Sequence, residues 1–88
     1  MYIIHKLLFI MNVIEVRCSK KDVIELKQVV FDLMKSNEDI FTLRLKDDSH
    51  IFHFNLVYDP IVFAEYKEDE LFFITKLHKV TISVELED

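Results

Sequence analysis

The chain has 88 residues, of which 51% are apolar, and it carries a net charge of −5 and no glycine. The missing glycine excludes a P-loop and a dinucleotide-binding loop, because both need backbone with positive φ and no Cβ where phosphate approaches. The acidic balance argues against generic nucleic-acid binding, which needs a basic stripe that displaces counterions.

The length predicts a single domain over residues 1–88. The one cysteine, Cys18, excludes an intramolecular disulfide and a cysteine-based zinc finger. Such cysteine use is typical of a reducing compartment, and we therefore expect a cytoplasmic protein. Residues with GC-rich codons are scarce, which favours an AT-rich genome, such as that of a low-GC bacterium or one of its phages or plasmids.

The opening stretch, MYIIHKLLFIM, is apolar except for His5 and Lys6. It is shorter than the ~20 residues that span a bilayer, and it lacks the charged start and small-residue cleavage site of a signal peptide. No membrane association is expected. Several interpretations of this stretch stay open. Residues 1–10 could be an extension that precedes an alternative start at Met11. Residues 2–10 could also lengthen the next strand, form a strand of their own, or be an arm that is exchanged with a second copy.

A half-buried strand is predicted for residues 12–18, because apolar and polar side chains alternate there. The inward residues are Ile14, Val16 and Cys18.

A helix is predicted for residues 20–36. Ser19 is a good N-cap, and Asp22 takes the place of the glutamate in a capping box. Lys35 suits the last turn, and Asn37 suits a left-handed cap. Apolar residues recur at steps of three and four and form a core stripe, which further apolar residues widen. The stripe is Val23, Leu26, Val30 and Leu33, widened by Ile24, Phe31 and Met34.

A hairpin is predicted from residues 40–46 and 51–58, which both alternate. One register makes every inward residue face another inward residue, with the turn at Asp48-Ser49. The same alternation places Tyr58 inward. The predicted inward pairs are Leu45 with Phe52, Leu43 with Phe54 and Phe41 with Leu56.

Two histidines, His50 and His53, lie three residues apart in the second of these strands. Residues three apart in a strand point to opposite faces, so one metal ion cannot readily take both. We therefore expect no metal site and no cofactor.

The last third of the chain predicts further strands. Residues 59–66 are compatible with a short helix that begins at Asp59-Pro60 or with a strand, and both stay open. Residues 71–77 are apolar on both parities, which indicates a buried strand, and residues 79–86 alternate. The turn between these two strands is expected at His78-Lys79.

Together the elements predict an α+β fold. One helix in the N-terminal half packs on a mainly antiparallel sheet of five to six strands, in the order β-α-β-β-β-β. The order of the strands within the sheet is not predicted.

No catalytic constellation is present, and we expect a non-catalytic module that binds another protein by occlusion, a second copy of itself, or both. Surplus apolar residues favour such contacts. Inhibitor, immunity or anti-defence proteins of mobile elements are of this kind. The acidic runs supply candidate partner-binding residues, which are Glu68, Asp69, Glu70, Glu85, Glu87 and Asp88.

Two alternatives stay open. The first is a ligand-binding or enzymatic site on the outward sheet face, with Arg44 opposite His53 and Thr42 opposite Asn55. Arg44 would bind a carboxylate or phosphate, and His53 would act as acid or base. The second is a structural homo-oligomer in which strand edges pair between copies.

Overall fold

The structure, a computed structural model, describes residues 12–45 and 50–85. The predicted α+β class is confirmed, and within these described residues one strand precedes the helix and five follow it. The segment compatible with helix or strand forms a strand. The elements are β1 (Asn12–Cys18), α1 (Lys20–Leu33), β2 (Ile40–Leu45), β3 (His50–Asn55), β4 (Ile61–Lys67), β5 (Glu70–Thr75) and β6 (His78–Val84).

The six strands that the structure describes lie in two sheets rather than in one. The larger sheet has the order β1-β6-β5-β4, and the smaller consists of β2 and β3. All neighbours are antiparallel except β1 and β6, which are parallel. The β2–β3 hairpin does not extend the larger sheet because its aromatic face packs against it. The Phe41 and Phe54 ring centroids lie 6.3 and 6.1 Å from that of Phe73.

Helix α1 and the β2–β3 hairpin pack on the same face of the larger sheet, which we call the inner face. Val23 and Val30 of the helix join the hairpin phenylalanines and the inner-face residues in one core. Among the described elements, none packs on the opposite, outer face. The buried inner-face residues are Val16, Cys18, Leu71, Phe73, Val80 and Ile82.

The core stripe of the helix is narrower than predicted. Val23 and Val30 are fully buried, and Leu26 is partly buried against the core. The prediction is wrong for Ile24 and Met34, which are 46% and 43% exposed. The helix meets the sheet on one side only, so its flanks stay in solvent.

The helix ends at Leu33, three residues before the predicted end. The Lys35 and Ser36 amides donate to carbonyls three residues earlier, at 3.0 and 3.3 Å. These bonds tighten the last turn and satisfy carbonyls that the helix leaves unpaired. The predicted left-handed cap at Asn37 is therefore wrong, and Lys35 lies beyond the last helical turn.

Ser19 is the N-cap, as predicted, because its hydroxyl accepts the Asp22 amide at 3.1 Å. Replacing Ser19 with alanine is expected to lower the free energy of unfolding by about 1 kcal/mol, since the Asp22 amide loses its acceptor. Urea unfolding followed by circular dichroism would measure this loss. The control is Ser36→Ala at the other helix end, which should change stability by less than about 0.5 kcal/mol; equal effects would contradict the cap.

The hairpin is confirmed, but its predicted register is wrong by two residues. A shift of two keeps inward side chains facing inward ones, so alternation does not distinguish the two registers. The turn predicted at Asp48-Ser49 lies outside the described residues. The observed pairs are Phe41 with Phe54, Leu43 with Phe52 and Leu45 with His50.

Two predictions about where strands begin and end are also wrong. Strand β3 stops at Asn55, whose carbonyl accepts the Asp59 amide at 2.8 Å in a turn, so Tyr58 is 73% exposed rather than inward. The β5–β6 turn lies at residues 76–77. His78 and Lys79 already belong to β6 and pair with its neighbours.

Candidate functional site

The predicted ligand-binding residues lie together on the outward face of the hairpin, but not in the predicted pairs. Thr42 lies opposite His53, with 3.2 Å between the Thr42 hydroxyl and His53 Nδ1. Arg44 and Asn55 each lie opposite an isoleucine. The Asn55 side chain accepts the Val57 amide at 3.1 Å and so closes the following turn. The direct pairing of Arg44 with His53 is wrong because the register differs.

Two of the predicted partner-binding acids form the β4–β5 turn. Glu68 and Asp69 have φ of 54° and 62°, a left-handed conformation that costs glutamate more than glycine or asparagine. Asp69 accepts the Tyr66 hydroxyl at 3.2 Å and lies 3.8 Å from Lys20 Nζ. The turn is thus tied to both its own strand and the start of α1.

Contacts within the chain occupy some of the predicted partner-binding carboxylates, so fewer of them are free to bind a partner. Partial burial and the Asp69 carboxylate raise the pKa of Tyr66, so its hydroxyl remains a donor at neutral pH. Glu70 accepts the Ser83 hydroxyl at 3.2 Å. Glu85 is exposed. Glu87 and Asp88 lie outside the described residues.

A buried polar network, which the sequence did not reveal, joins residues 56–60 to the β5–β6 turn. Asp59 and Thr75 are both buried. Asp59 Oδ2 lies 2.6 Å from His78 Nδ1, and Asp59 Oδ1 accepts the Leu77 amide at 2.7 Å. The Thr75 hydroxyl accepts the His78 amide at 2.8 Å. Asp59 and Thr75 therefore hold the turn from two sides.

The Asp59 carboxylate is stabilised in its ionised form despite its burial. Burial raises the pKa of Asp59, but hydrogen bonds from Thr75, Leu77 and His78 and the attraction of His78 together hold that pKa below its ordinary value. The His78 ring also packs edge-on against Phe54, with centroids 5.0 Å apart. The network is thus attached to the aromatic core.

This Asp–His pair is not arranged as a hydrolytic triad. In a triad the carboxylate orients one ring nitrogen, and the other faces the nucleophile. Here the Thr75 hydroxyl lies 3.4 Å from Nδ1 of His78, the same nitrogen that Asp59 contacts. The geometry therefore positions backbone rather than a nucleophile.

The sequence contained only a weak signal for this network. Asp59 and His78 are 19 residues apart, so no local pattern joins them. Thr75 and His78 bracket a turn at a spacing that allows a threonine hydroxyl to bond nearby backbone. That spacing was the one available clue.

A shallow groove of about 170 Å³ lies at the C-terminal end of α1, and we call it the helix-end groove. The Leu56 amide donates to the Asp39 carbonyl at 2.7 Å and holds the two walls together. Ile40, Val57 and Tyr58, adjacent in the chain to these walls, are exposed. The groove is lined by Leu33, Met34, Ser36, Glu38, Leu56, Pro60 and Ile61.

The Asp59 network positions one wall of this groove, because Asp59 directly precedes Pro60 and the Lys76 amide donates to the Pro60 carbonyl at 3.1 Å. The backbone that carries Pro60 and Ile61 on this wall is therefore held in place by hydrogen bonds from the β5–β6 turn.

Two further features are absent from residues 12–45 and 50–85. No three histidine, cysteine or acidic residues gather there as metal ligands. No helix in these ranges has the length and apolarity to cross a membrane.

Comparisons of the chain with protein-family models, with curated proteins and with solved structures gave no match.

Proposed function

We propose that the protein is a non-catalytic, intracellular protein-binding module that occludes its partner, and that the partner binds at the helix-end groove. The observation that carries this proposal is the apolar groove with one anchored wall, beside which the chain places the exposed residues Ile40, Val57 and Tyr58. The single cysteine, which is buried at Cys18, supports a reducing compartment such as the cytoplasm.

The size of the groove favours a macromolecule over a small molecule. Pockets that enclose a ligand usually measure about 300–1,000 Å³, whereas this groove is near 170 Å³. The groove can receive one or two side chains of a partner. Tyr58 and its neighbours would then contact the part of the partner's surface that surrounds those side chains. Tyrosine in such positions often contributes much of the binding energy.

The groove is a better candidate than the acidic β4–β5 turn. Asp69 already meets Lys20 and Tyr66, and Glu70 meets Ser83. A basic partner would have to displace these contacts. The groove offers apolar surface, and removing this surface from water on binding is itself favourable.

The test is capture from a lysate of the source cells, followed by titration with the purified partner. Tyr58→Glu is expected to weaken binding by on the order of 30-fold or more, because an exposed tyrosine contact beside the groove is lost and a charge is desolvated. The matched control is Ile24→Glu, on the exposed flank of α1, which should bind as wild type.

Two results would oppose the proposal. One is a captured protein that binds the Tyr58→Glu variant as tightly as wild type. The other is no specific capture at all. If light scattering shows a stable dimer that Tyr58→Glu dissociates, the partner is a second copy, and the protein belongs to the self-associating class instead.

A further inference from the structure

The outer face of the larger sheet carries apolar side chains at one end. The strand register places Val13, Lys79, Ile74 and Phe63 in one row across the sheet, so three of the four residues in this row are apolar, and Phe72 lies in the next row. We call the four apolar residues, Val13, Ile74, Phe63 and Phe72, the outer apolar strip. The Phe63 and Phe72 ring centroids lie 6.2 Å apart, and Lys79 Nζ lies 5.8 Å from the Phe72 centroid.

Two of the four residues of the strip are exposed, and the other two, Phe72 and Ile74, are half-buried. Val13 is 61% and Phe63 is 44% exposed. Helix α1 and the hairpin both lie on the other face.

The sequence of β5 nevertheless favours cover on both faces of the sheet. Leu71 and Phe73 point inward, and Phe72 and Ile74 point outward. A strand that is apolar on both parities is typical of a sheet covered on both sides. A strand with one solvated face would alternate instead, as β6 does with Thr81 and Ser83.

The dimensions of the strip limit what can cover it. Four strands about 4.8 Å apart span roughly 14 Å, and two rows add about 7 Å along the strands. A stable dimer interface needs about 800 Å² from each partner. The strip is far smaller than that, and its charged neighbours would be buried in a larger contact. One short segment fits it better than a second copy.

The segment that precedes β1 is suited to this place. Strand β1 begins at Asn12, directly before Val13, so residues 2–10 arrive at one end of the strip. Nine extended residues reach about 30 Å, twice the width of the strip. They are apolar except for His5 and Lys6.

The charges near the strip also match this segment. Glu15 and Glu65 lie in the row next to Val13 and Phe63. They would receive Lys6 while the apolar residues cover the strip. We propose that residues 2–10, which lie outside the described residues, cover the outer apolar strip of their own chain. This inference does not depend on the proposed function.

The first test uses the full chain with labelled methyl groups. Nuclear Overhauser effects are expected from the isoleucine and leucine methyls of residues 2–10 to the Phe63 and Phe72 rings. A mixture of labelled and unlabelled protein distinguishes the sources. Contacts that appear between molecules would assign the strip to a second copy and overturn the proposal, as would contacts only to the helix-end groove or no contacts.

A second test uses amide hydrogen exchange of the full chain. Phe63→Ser should lower the protection of residues 2–10 by on the order of ten-fold, while the protection of α1 is unchanged. The matched control, Ile24→Ser, removes an apolar side chain of similar exposure and should leave residues 2–10 as in wild type. Equal protection in both variants would overturn the proposal.

Discussion

Replacing Phe73 with alanine is expected to lower the free energy of unfolding by about 4 kcal/mol. Phe73 is fully buried, and its ring contacts those of Phe41 and Phe54. The substitution removes the group that joins the hairpin to the larger sheet and leaves a cavity that rigid neighbours cannot fill. Since a domain of this size is stable by about 5–10 kcal/mol, much of its stability would be lost.

Urea unfolding measures this loss as a shift in the transition midpoint. Tyr58→Ala is the control, because that side chain is largely exposed and should change stability by less than about 0.5 kcal/mol. Comparable shifts for the two variants would mean that the hairpin does not pack on the sheet as described.

Replacing Asp59 with alanine is expected to cost about 3 kcal/mol at neutral pH. The buried carboxylate accepts the Leu77 amide and pairs with His78, and its removal leaves both groups without their partner. Asp59→Asn keeps the shape and one acceptor oxygen, so its cost should be smaller. Equal costs for the two variants would contradict this expectation and would mean that the negative charge, rather than the shape or the remaining acceptor oxygen, accounts for the whole contribution.

The cost of Asp59→Ala should depend on pH in a defined direction. The folded-state pKa of Asp59 lies below its ordinary value, so the carboxylate contributes stability that is fully present above the unfolded pKa of about 3.9. That contribution is lost as pH falls through the folded pKa. The difference between wild type and Asp59→Ala should therefore shrink below about pH 4; a difference that grows on acidification would contradict the pairing.

Local chemistry explains which parts of the fold were predictable. The Ser19 cap and the alternation of β1 and β6 depend on neighbours in the chain, and these predictions are confirmed. The hairpin was predictable in parity but not in register, because two registers satisfy the same alternation. The division of six strands into two sheets depends on ring contacts between Phe41, Phe54 and Phe73 that no local pattern encodes.

The candidate site was less predictable for the same reason. The Asp59–His78 pair and the helix-end groove join segments distant in the chain. The predicted cluster at Arg44 and His53 assumed a register that differs from the observed one. The helix is shorter than predicted because the amides of Lys35 and Ser36 bond to carbonyls three residues earlier in a tightened last turn. The helix therefore does not continue to a left-handed cap at Asn37.

The parallel pairing of β1 with β6 has a consequence for the order of folding. Residues Asn12 and His78 are partners in that ladder, so the first of the described strands pairs with the last of them. On the ribosome, β1 and α1 must wait until β6 has emerged before the larger sheet can close. Closing so long a loop makes folding slow relative to a chain of local contacts. During that interval β1 exposes an unsatisfied edge, which is when the nascent chain is most open to aggregation or chaperone binding.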